Sequence, residues 1–266
     1  VTVTESEDAA WVCLNSSNTW TKQMESGGTY VVNFVNFKKV TITADKFDDV
    51  NGNGKKDDGE PEIPGWQLTI KYPDGTTNTM DSPASWTVGR GGTYTITEEL
   101  RDGWLQTTAS SVDVDVESGG TPSTVWLGNF KLGKISGYKW EDINGDGIMD
   151  QDEPVLKDWE IMLTKGSSTI TTRTDENGYY EFTGLTAGTY IVNEVLQSGW
   201  VQTYPATSDT NAVQITSGSI VNDKDFGNFK LVYITADKFN DLDGDGKKDD
   251  GELEIQGWEL KITCPN

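Results

Sequence analysis

The stretch KFDDVNGNGKKDDGEPEIPGW, at residues 46–66, decides how this chain is organised, because the chain contains three versions of it. It recurs as KWEDINGDGIMDQDEPVLKDW at residues 139–159 and as KFNDLDGDGKKDDGELEIQGW at residues 238–258. The copies begin at intervals close to the usual length of one small domain. Self-similarity at such a period predicts tandem domains of one kind.

A second block, TEELRDGW at residues 97–104, returns as NEVLQSGW at 193–200 and as TESEDAAW at 4–11. In chain order these copies give the back half of a repeat, two complete repeats and the front half of another. Half a repeat cannot bury its apolar face alone, so we expect a neighbouring copy of the chain to complete it. The alternative is that the sequence is an excerpt of a longer tandem chain. The expected units are residues 1–37, 38–131, 132–230 and 231–266.

Each complete repeat reads as a series of short strands. KVTITADKF at residues 39–47 and SVDVDV at residues 111–116 alternate apolar and polar side chains, which is typical of half-buried strands. No stretch has a sustained helical period, so we expect almost no helix. About seven short strands per repeat favour an antiparallel, immunoglobulin-like sandwich. The predicted fold class is all-β, with tandem seven-stranded sandwiches and a half-domain at each terminus.

Composition argues against several classes of function. The net charge of −22 opposes binding to nucleic acid and to anionic membranes, and it favours divalent cations. The chain has no His, which removes the usual general base and the commonest zinc ligand. No segment is apolar and long enough for insertion into a membrane. We therefore expect no enzyme activity beyond self-catalysed crosslinking.

The acidic stretch in each repeat matches the EF-hand calcium loop at every ligand position. A solvated acidic loop is the alternative, but three matches in register favour about three Ca²⁺ per chain in a structural role. Carboxylates increase from the first loop to the third, so we expect calcium affinity to increase in that order. The expected ligands are Asp49, Asn51, Asn53, Lys55 (carbonyl), Asp57 and Glu60; Asp142, Asn144, Asp146, Ile148 (carbonyl), Asp150 and Glu153; and Asp241, Asp243, Asp245, Lys247 (carbonyl), Asp249 and Glu252.

Strand alternation also places a lysine, a glutamate and an asparagine on the apolar face of each repeat. Along residues 40–46, for example, Val40, Ile42, Ala44 and Lys46 share one face. The three sets, in chain order of their lysines, are Lys46, Glu98 and Asn129; Lys139, Glu194 and Asn228; and Lys238, Glu5 and Asn36.

Two interpretations of these sets remain open. One is a buried Lys–Glu ion pair whose spare hydrogen bonds are satisfied by the asparagine. The other is a Lys–Asn amide crosslink formed with loss of ammonia. A desolvated lysine loses its proton and becomes a nucleophile, while a protonated glutamate polarises the asparagine amide and shuttles protons.

The motifs DxNxDGxxDxxEPxIPGW, at residues 49–66 with Asn53 at the fifth position, and GTYxxxE…GW, at residues 92–104, carry a family resemblance. The repeats resemble the B-type domains of Gram-positive surface adhesins and pilins, in the calcium-binding form of serine–aspartate repeat proteins. The resemblance covers nearly the whole chain. It implies a seven-stranded, transthyretin-like sandwich on a cell surface. Pilin relatives form Lys–Asn isopeptide bonds with a catalytic glutamate, whereas calcium-loop relatives typically have an apolar residue at the lysine position.

The two cysteines, Cys13 and Cys264, both fall in the divided repeat, and the complete repeats have no cysteine at the matching positions. A disulfide that closes a composite domain is the economical explanation, with chance placement as the alternative. Two domains in a row hold the halves apart, so we expect them to join between copies, head to tail. Lys238 of one copy would then meet Asn36 and Glu5 of its neighbour.

The sequence thus predicts an extracellular, cell-surface protein. We expect a structural subunit of a fibre, sheath or surface-layer-like polymer that binds copies of itself and no nucleic acid. The alternative is the stalk or ligand-binding region of an adhesin, with a host or matrix ligand.

Overall fold

The computed structural model describes residues 1–206 and 211–263. These residues form twenty-one short strands and no helix, which confirms the predicted all-β class. No helix that could cross a membrane occurs in the described part of the chain.

Residues 1–37 form two small strand pairs. Strand β1 pairs antiparallel with β3, and β2 pairs antiparallel with β4. Most side chains of this segment remain exposed or half-buried. The segment therefore lacks a core of its own. Its strands are β1 (Thr2–Thr4), β2 (Trp11–Cys13), β3 (Thr19–Thr21) and β4 (Asn36–Lys38), the last of which ends one residue beyond the predicted boundary.

The first domain is a sandwich of two four-stranded sheets. One sheet has the order β10-β12-β5-β8, and the other has the order β11-β9-β6-β7. Every pairing is antiparallel except that of β5 with β12, the first and last strands, which run parallel side by side. The strands are β5 (Val40–Asp48), β6 (Gln67–Lys71), β7 (Thr77–Asp81), β8 (Ala84–Val88), β9 (Gly92–Glu98), β10 (Trp104–Gln106), β11 (Val112–Val116) and β12 (Val125–Lys131).

Alternating side chains build the core between these sheets. Along β5, Val40 and Ile42 are buried while Thr41 is exposed, as a strand with one apolar face requires. Leu68 and Ile70 on β6 and Ile96 on β9 cover that face from the other sheet. The inward positions of β5 are therefore shielded from water along most of its length.

The strand number corrects the expected seven, because the first domain has eight. Sequence patterns missed β7, whose five side chains are all exposed, so it has no apolar alternation. They also missed β10, which has only three residues. Both strands lie at the edges of their sheets, where one side of the strand faces solvent and burial imposes little pattern.

The second domain repeats this architecture. Its sheets have the orders β16-β13-β21-β18 and β15-β14-β17-β19, and its first and last strands again run parallel. The additional strand β20 is a two-residue pairing with β13. The strands are β13 (Gly133–Glu141), β14 (Glu160–Lys165), β15 (Ser168–Arg173), β16 (Tyr179–Leu185), β17 (Gly188–Glu194), β18 (Trp200–Tyr204), β19 (Ala212–Ile215), β20 (Ile220–Val221) and β21 (Phe226–Lys230).

Residues 231–263 contain the third acidic loop but form no sheet in the described part of the chain. Phe239 and Glu254 make an isolated bridge across the loop base, as Phe47 and Glu62 do in the first domain. The loop has thus formed without the sandwich that surrounds its counterparts.

Candidate functional site

The first acidic loop directly follows β5, and its first residue, Asp49, is fully buried. The Asp49 carboxylate accepts backbone hydrogen bonds from Asn53 at 3.0 Å and from Gly54 at 2.7 Å. Glu60 closes the loop, because its two oxygens accept from the backbone N–H groups of Val50 and Asp57. The first and last acidic residues therefore fold the backbone around one centre.

The glycine at the sixth loop position makes the sharp turn. Gly54 has φ +76°, in the left-handed region where other residues are strained. A Cβ atom there would also lie 2.8 Å from the backbone oxygen of Thr107. Both observations explain why the pattern requires glycine.

The second loop repeats the same bonds. Asp142, also fully buried, accepts from the N–H groups of Asp146 at 3.2 Å and of Gly147 at 2.7 Å, the residues that correspond to Asn53 and Gly54. Glu153 accepts from Ile143 at 2.7 Å and from Asp150 at 3.1 Å. The backbone of this loop thus curves as in the first.

The third loop brings its carboxylates closest together. One ligand atom each from Asp241, Asp243 and Glu252 lie within 4.8 Å of one another, and so do those of Asp243, Asp245 and Asp249. Such convergence of like charges is unfavourable without a cation between them. The donor set, all hard oxygens on a curved backbone, fits calcium.

A separate cluster lies in the interior of the first domain. Lys46 on β5 places Nζ 2.5 Å from Oε2 of Glu98 on the facing sheet, and both side chains are fully buried. Nζ also donates to the carbonyl of Leu127 at 3.0 Å. Asn129, on the strand beside Lys46, is 1% exposed, and its Oδ1 has no hydrogen-bond partner among the described residues. An amine, a carboxyl and an amide thus converge in a dry site.

The second domain contains the equivalent cluster. Nζ of Lys139 donates to Oδ1 of Asn228 at 2.7 Å and lies 3.5 Å from Oε2 of Glu194. The Nδ2 atom of Asn228 is buried and has no partner in the described part of the chain. The amine therefore lies against the amide that the sequence pairs with it.

Burial moves both charged members of each cluster towards neutrality. Desolvation lowers the pKa of Lys46, and it lowers the pKa of Lys139 to about 8, although a nearby glutamate opposes each shift. Desolvation likewise raises the pKa of Glu98 and of Glu194 against the attraction of the lysines. A neutral amine beside a protonated carboxyl is the state that an amide-forming reaction needs.

The third set is not brought together within this structure. Nδ2 of Asn36 donates a short hydrogen bond to Oε1 of Glu5, so two members are already paired. Lys238 is exposed. Beside the Glu5–Asn36 pair lies an open cleft of about 950 Å³, also lined by Trp11 and Cys13. The lysine of this set is the missing member.

The cysteines give a similar result. Cys13 carries a half-buried thiol that has no disulfide partner among the described residues. Cys264 lies outside the described residues, so their proposed pairing has no geometry here.

Sequence patterns overlooked the indole that flanks each lysine. Nζ of Lys46 lies 4.9 Å from the ring centre of Trp66, and Nζ of Lys139 lies 4.5 Å from that of Trp159. The tryptophan that ends each copy of the first block was the available signal. These rings help to exclude water from the cluster and place a π face beside the amine.

The fold and these sites define a class of protein: a tandem array of β-sandwich domains, each with an acidic loop and a buried lysine cluster. Residues 133–225 match the family model described as "SdrD B-like domain". The second domain therefore matches a B-like domain of the serine–aspartate repeat proteins, which confirms the resemblance predicted from the sequence.

Curated proteins of Staphylococcus aureus are similar to the chain. Serine-aspartate repeat-containing protein E of Staphylococcus aureus is 30% identical over 251 residues, which cover 83% of this chain and 22% of the relative. The bone sialoprotein-binding protein of the same species is 29% identical with the same coverage. The chain thus spans about a fifth of the length of these relatives.

The chain is also similar to two solved structures. The Bacillus anthracis TIE protein is 20% identical with a TM-score of 0.36, over 86% of this chain and 42% of that chain. A minor pilin of Streptococcus agalactiae is 13% identical with a TM-score of 0.31, over 74% of this chain and 98% of that chain. The curated relatives are surface proteins, and the expected extracellular, cell-surface location is confirmed. The family match and these relatives support a cell-surface structural or adhesin role.

Proposed function

We propose that this protein is a calcium-stiffened structural subunit of a cell-surface polymer, whose copies join head to tail through their partial repeats. The supporting observation is the exposed apolar face of residues 231–263. Trp258 is 62% exposed, whereas the matching Trp66 is 1% exposed in the complete first domain. Ile262 is 64% exposed, and its counterpart Ile70 is fully buried.

Burial of one such side chain contributes about 1.5–3 kcal/mol. The segment 231–263 therefore favours a partner that supplies the missing sheet strands.

Residues 1–37 offer those strands. In the first domain, β5 lies beside β12, and β6 lies beside β9. By repeat alignment, β4 corresponds to β12 and β1 corresponds to β9, and both lack these neighbours in the described structure. The strands that one segment lacks are the strands that the other presents, which favours a second copy as the partner.

Covalent bonds would lock this joint. In our proposal, neutral Nζ of Lys238 attacks Cγ of Asn36 in the second copy, and the Nζ–Cγ bond forms. The Cγ–Nδ2 bond breaks, and Nδ2 leaves as ammonia with a proton from Glu5, which regains a proton from Nζ. The same reaction within one chain would join Lys46 to Asn129 and Lys139 to Asn228. A Cys13–Cys264 disulfide between copies would add a second lock in an oxidising exterior.

Calcium has a structural role in this proposal. Bound Ca²⁺ would cancel the repulsion among the loop carboxylates and hold the curved backbone. Because the ion binds the folded loop better than the unfolded chain, it would raise the free energy of unfolding.

The mass of the assembled chain tests the proposal. Light scattering of the full chain in calcium should show oligomers that grow with concentration. Leu260→Glu, which changes the exposed face of residues 231–263, should raise the concentration needed for assembly by about tenfold or more. Leu100→Glu is the matched control, because Leu100 is equally apolar, 77% exposed and outside both partial repeats. A monomer at all concentrations would overturn the head-to-tail polymer.

The alternative function is the stalk or ligand-binding region of an adhesin. It is supported by the relative whose name states that it binds bone sialoprotein. A monomeric chain that binds an immobilised matrix protein, with the two complete domains sufficient for binding, would favour this alternative.

A further inference from the structure

The way in which each domain joins the preceding one repeats along the chain. At the first junction, the backbone N–H of Lys38 donates to Oγ of Ser118 at 2.8 Å, and the N–H of Gly119 donates to the Lys38 carbonyl at 3.1 Å. The last residue of one unit is thus clamped by a Ser–Gly turn of the next.

The second junction uses the same clamp. The N–H of Lys131 donates to Oγ of Ser217 at 2.7 Å, and the N–H of Gly218 donates to the Lys131 carbonyl at 2.7 Å. The N–H of Ser217 also donates to the carbonyl of Val50, the second residue of the first acidic loop, at 3.0 Å. The turn therefore contacts both the end of the last strand and the loop of the preceding domain.

A phenylalanine accompanies each clamp. Phe37 precedes Lys38 and belongs to the core of the first domain, and Phe130 precedes Lys131 and belongs to the core of the second. Phe229 precedes Lys230 in the same Asn-Phe-Lys sequence but is only half-buried. The end of the second domain therefore presents the same phenylalanine and lysine. No Ser–Gly turn is hydrogen-bonded to this lysine within the described residues.

Residues 25–28 form such a turn. The pairing of Val3 with Trp20 corresponds to that of Ile96 with Val112, and counting forward from Trp20 and Val112 aligns Ser26 with Ser118. Gly27 has φ +76°, close to the +72° of Gly119.

The turn is also closed in the same way. The N–H of Gly28 donates to the Glu25 carbonyl at 3.2 Å, as Gly120 does to Glu117 at 3.0 Å. No hydrogen bond reaches Oγ of Ser26 from the rest of the described chain. The turn is already formed and its clamping groups are available.

We infer that the Ser26–Gly27 turn of one copy clamps Lys230 of a second copy, with Phe229 inserted into the composite domain. Ser26 would also donate its N–H to the carbonyl of Ile143, which corresponds to Val50. This docking rests on the proposed head-to-tail assembly, and it specifies which surfaces outside the shared sandwich meet. The joint between copies would then have the same geometry as the two junctions within the chain.

Photo-crosslinking of the full chain tests the docking. The photoreactive residue p-benzoylphenylalanine would replace Lys230, and peptides would be mapped after irradiation, denaturation and reduction. We expect crosslinks between copies to residues 22–37. The same residue at position 131 is the geometric control, because it should react within one chain with residues 215–219.

A second variant tests the turn itself. Gly27→Val must adopt the left-handed conformation to dock, so the crosslink should fall by about tenfold. Gly75→Val is the control, because Gly75 has a similarly positive φ of +87° but lies in a turn away from the junctions. The crosslink yield of this variant should remain unchanged.

The outcomes separate the two ideas. Crosslinks elsewhere, or equal yields for both glycine variants, in a chain that still assembles would overturn the docking and leave the polymer standing. A chain that does not assemble would overturn both.

Discussion

The Nζ atom of Lys139 lies 2.7 Å from Oδ1 of Asn228 inside the second domain, and both side chains are fully buried. The two residues lie on β13 and β21, the first and last strands of the domain, which run parallel side by side. An amine and an amide held at this distance in a dry site are arranged for bond formation as well as for a hydrogen bond.

The intact mass of the chain distinguishes these outcomes. Under denaturing and reducing conditions, we expect the chain to be lighter by one ammonia for each crosslinked domain. Lys139→Met should recover one of these losses, because its side chain has no nucleophile. Lys165→Met is the matched control, since Lys165 belongs to the same domain and contacts Thr186 instead.

Glu194→Ala examines the proton transfer separately. It leaves both reacting groups in place but removes the carboxyl, so we expect the full mass for that domain. If the chain without any substitution has the full mass calculated from its sequence, no ammonia has been lost and the clusters are ion pairs.

The change of stability with pH provides a second prediction. It is best measured in the variant Asn228→Ala, in which Lys139 cannot form the amide crosslink. Burial lowers the pKa of Lys139 from 10.5 to about 8. Between these values the unfolded state binds more protons than the folded state, so the free energy of unfolding should increase with pH. Denaturant unfolding at several pH values would measure this slope.

The double variant Asn228→Ala with Lys139→Met is the control for that slope, because all other titrating groups remain. The difference between the two curves should rise from pH 8 to 10.5. Parallel curves in that range would contradict a desolvated lysine.

Calcium binding gives a third prediction. Glu153 closes the second loop through two backbone hydrogen bonds, and calcium loops use this position as a bidentate ligand. Glu153→Gln should weaken calcium binding at one site by about tenfold or more in isothermal titration. Asp152→Asn makes the same change in charge at the exposed neighbour and should leave affinity nearly unchanged.

The order of affinities can be obtained in the same titrations. The third loop, with the most carboxylates, should bind calcium most tightly and the first loop least tightly. Chelation of the ion should lower the midpoint of thermal unfolding, and an unchanged midpoint would argue against a structural ion.

Packing around Gly137 gives a fourth prediction. A Cβ atom at this position on β13 would overlap the carbonyl oxygen of Lys224, and only a shift of the backbone could relieve that overlap. Gly137→Ala should destabilise the second domain by about 1–3 kcal/mol or more in denaturant unfolding. Gly166→Ala is the comparison, because a Cβ there meets no atom and only its φ of +58° is strained.

The sequence predicted the fold where burial imposes a pattern. The alternation through Val40 and Ile42 places Lys46 inside, because a strand that covers a core must turn alternate residues inward. It could not predict β7, because all five of its side chains are exposed and burial imposes no alternation on them. It also missed the clamp at Lys131, since a Ser–Gly turn has the same composition whether it contacts solvent or the next domain.

The site was predicted to a similar extent. Loop spacing predicts which oxygens share a centre, because a curved backbone sets their positions. The contact of Trp66 with Lys46 depends on the packing of two sheets, which spacing along the chain does not encode.

The parallel pairing of β5 with β12 has a mechanical consequence for a protein on a cell surface. Tension along the chain enters the domain at the start of β5 and leaves at the end of β12. Tension pulls these two neighbouring strands in opposite directions along their length, so one must slide past the other. The backbone hydrogen bonds between them therefore resist together and do not open one at a time. Each sandwich is thus loaded in shear, and a Lys46–Asn129 bond would carry the force past the rest of the domain without unravelling it.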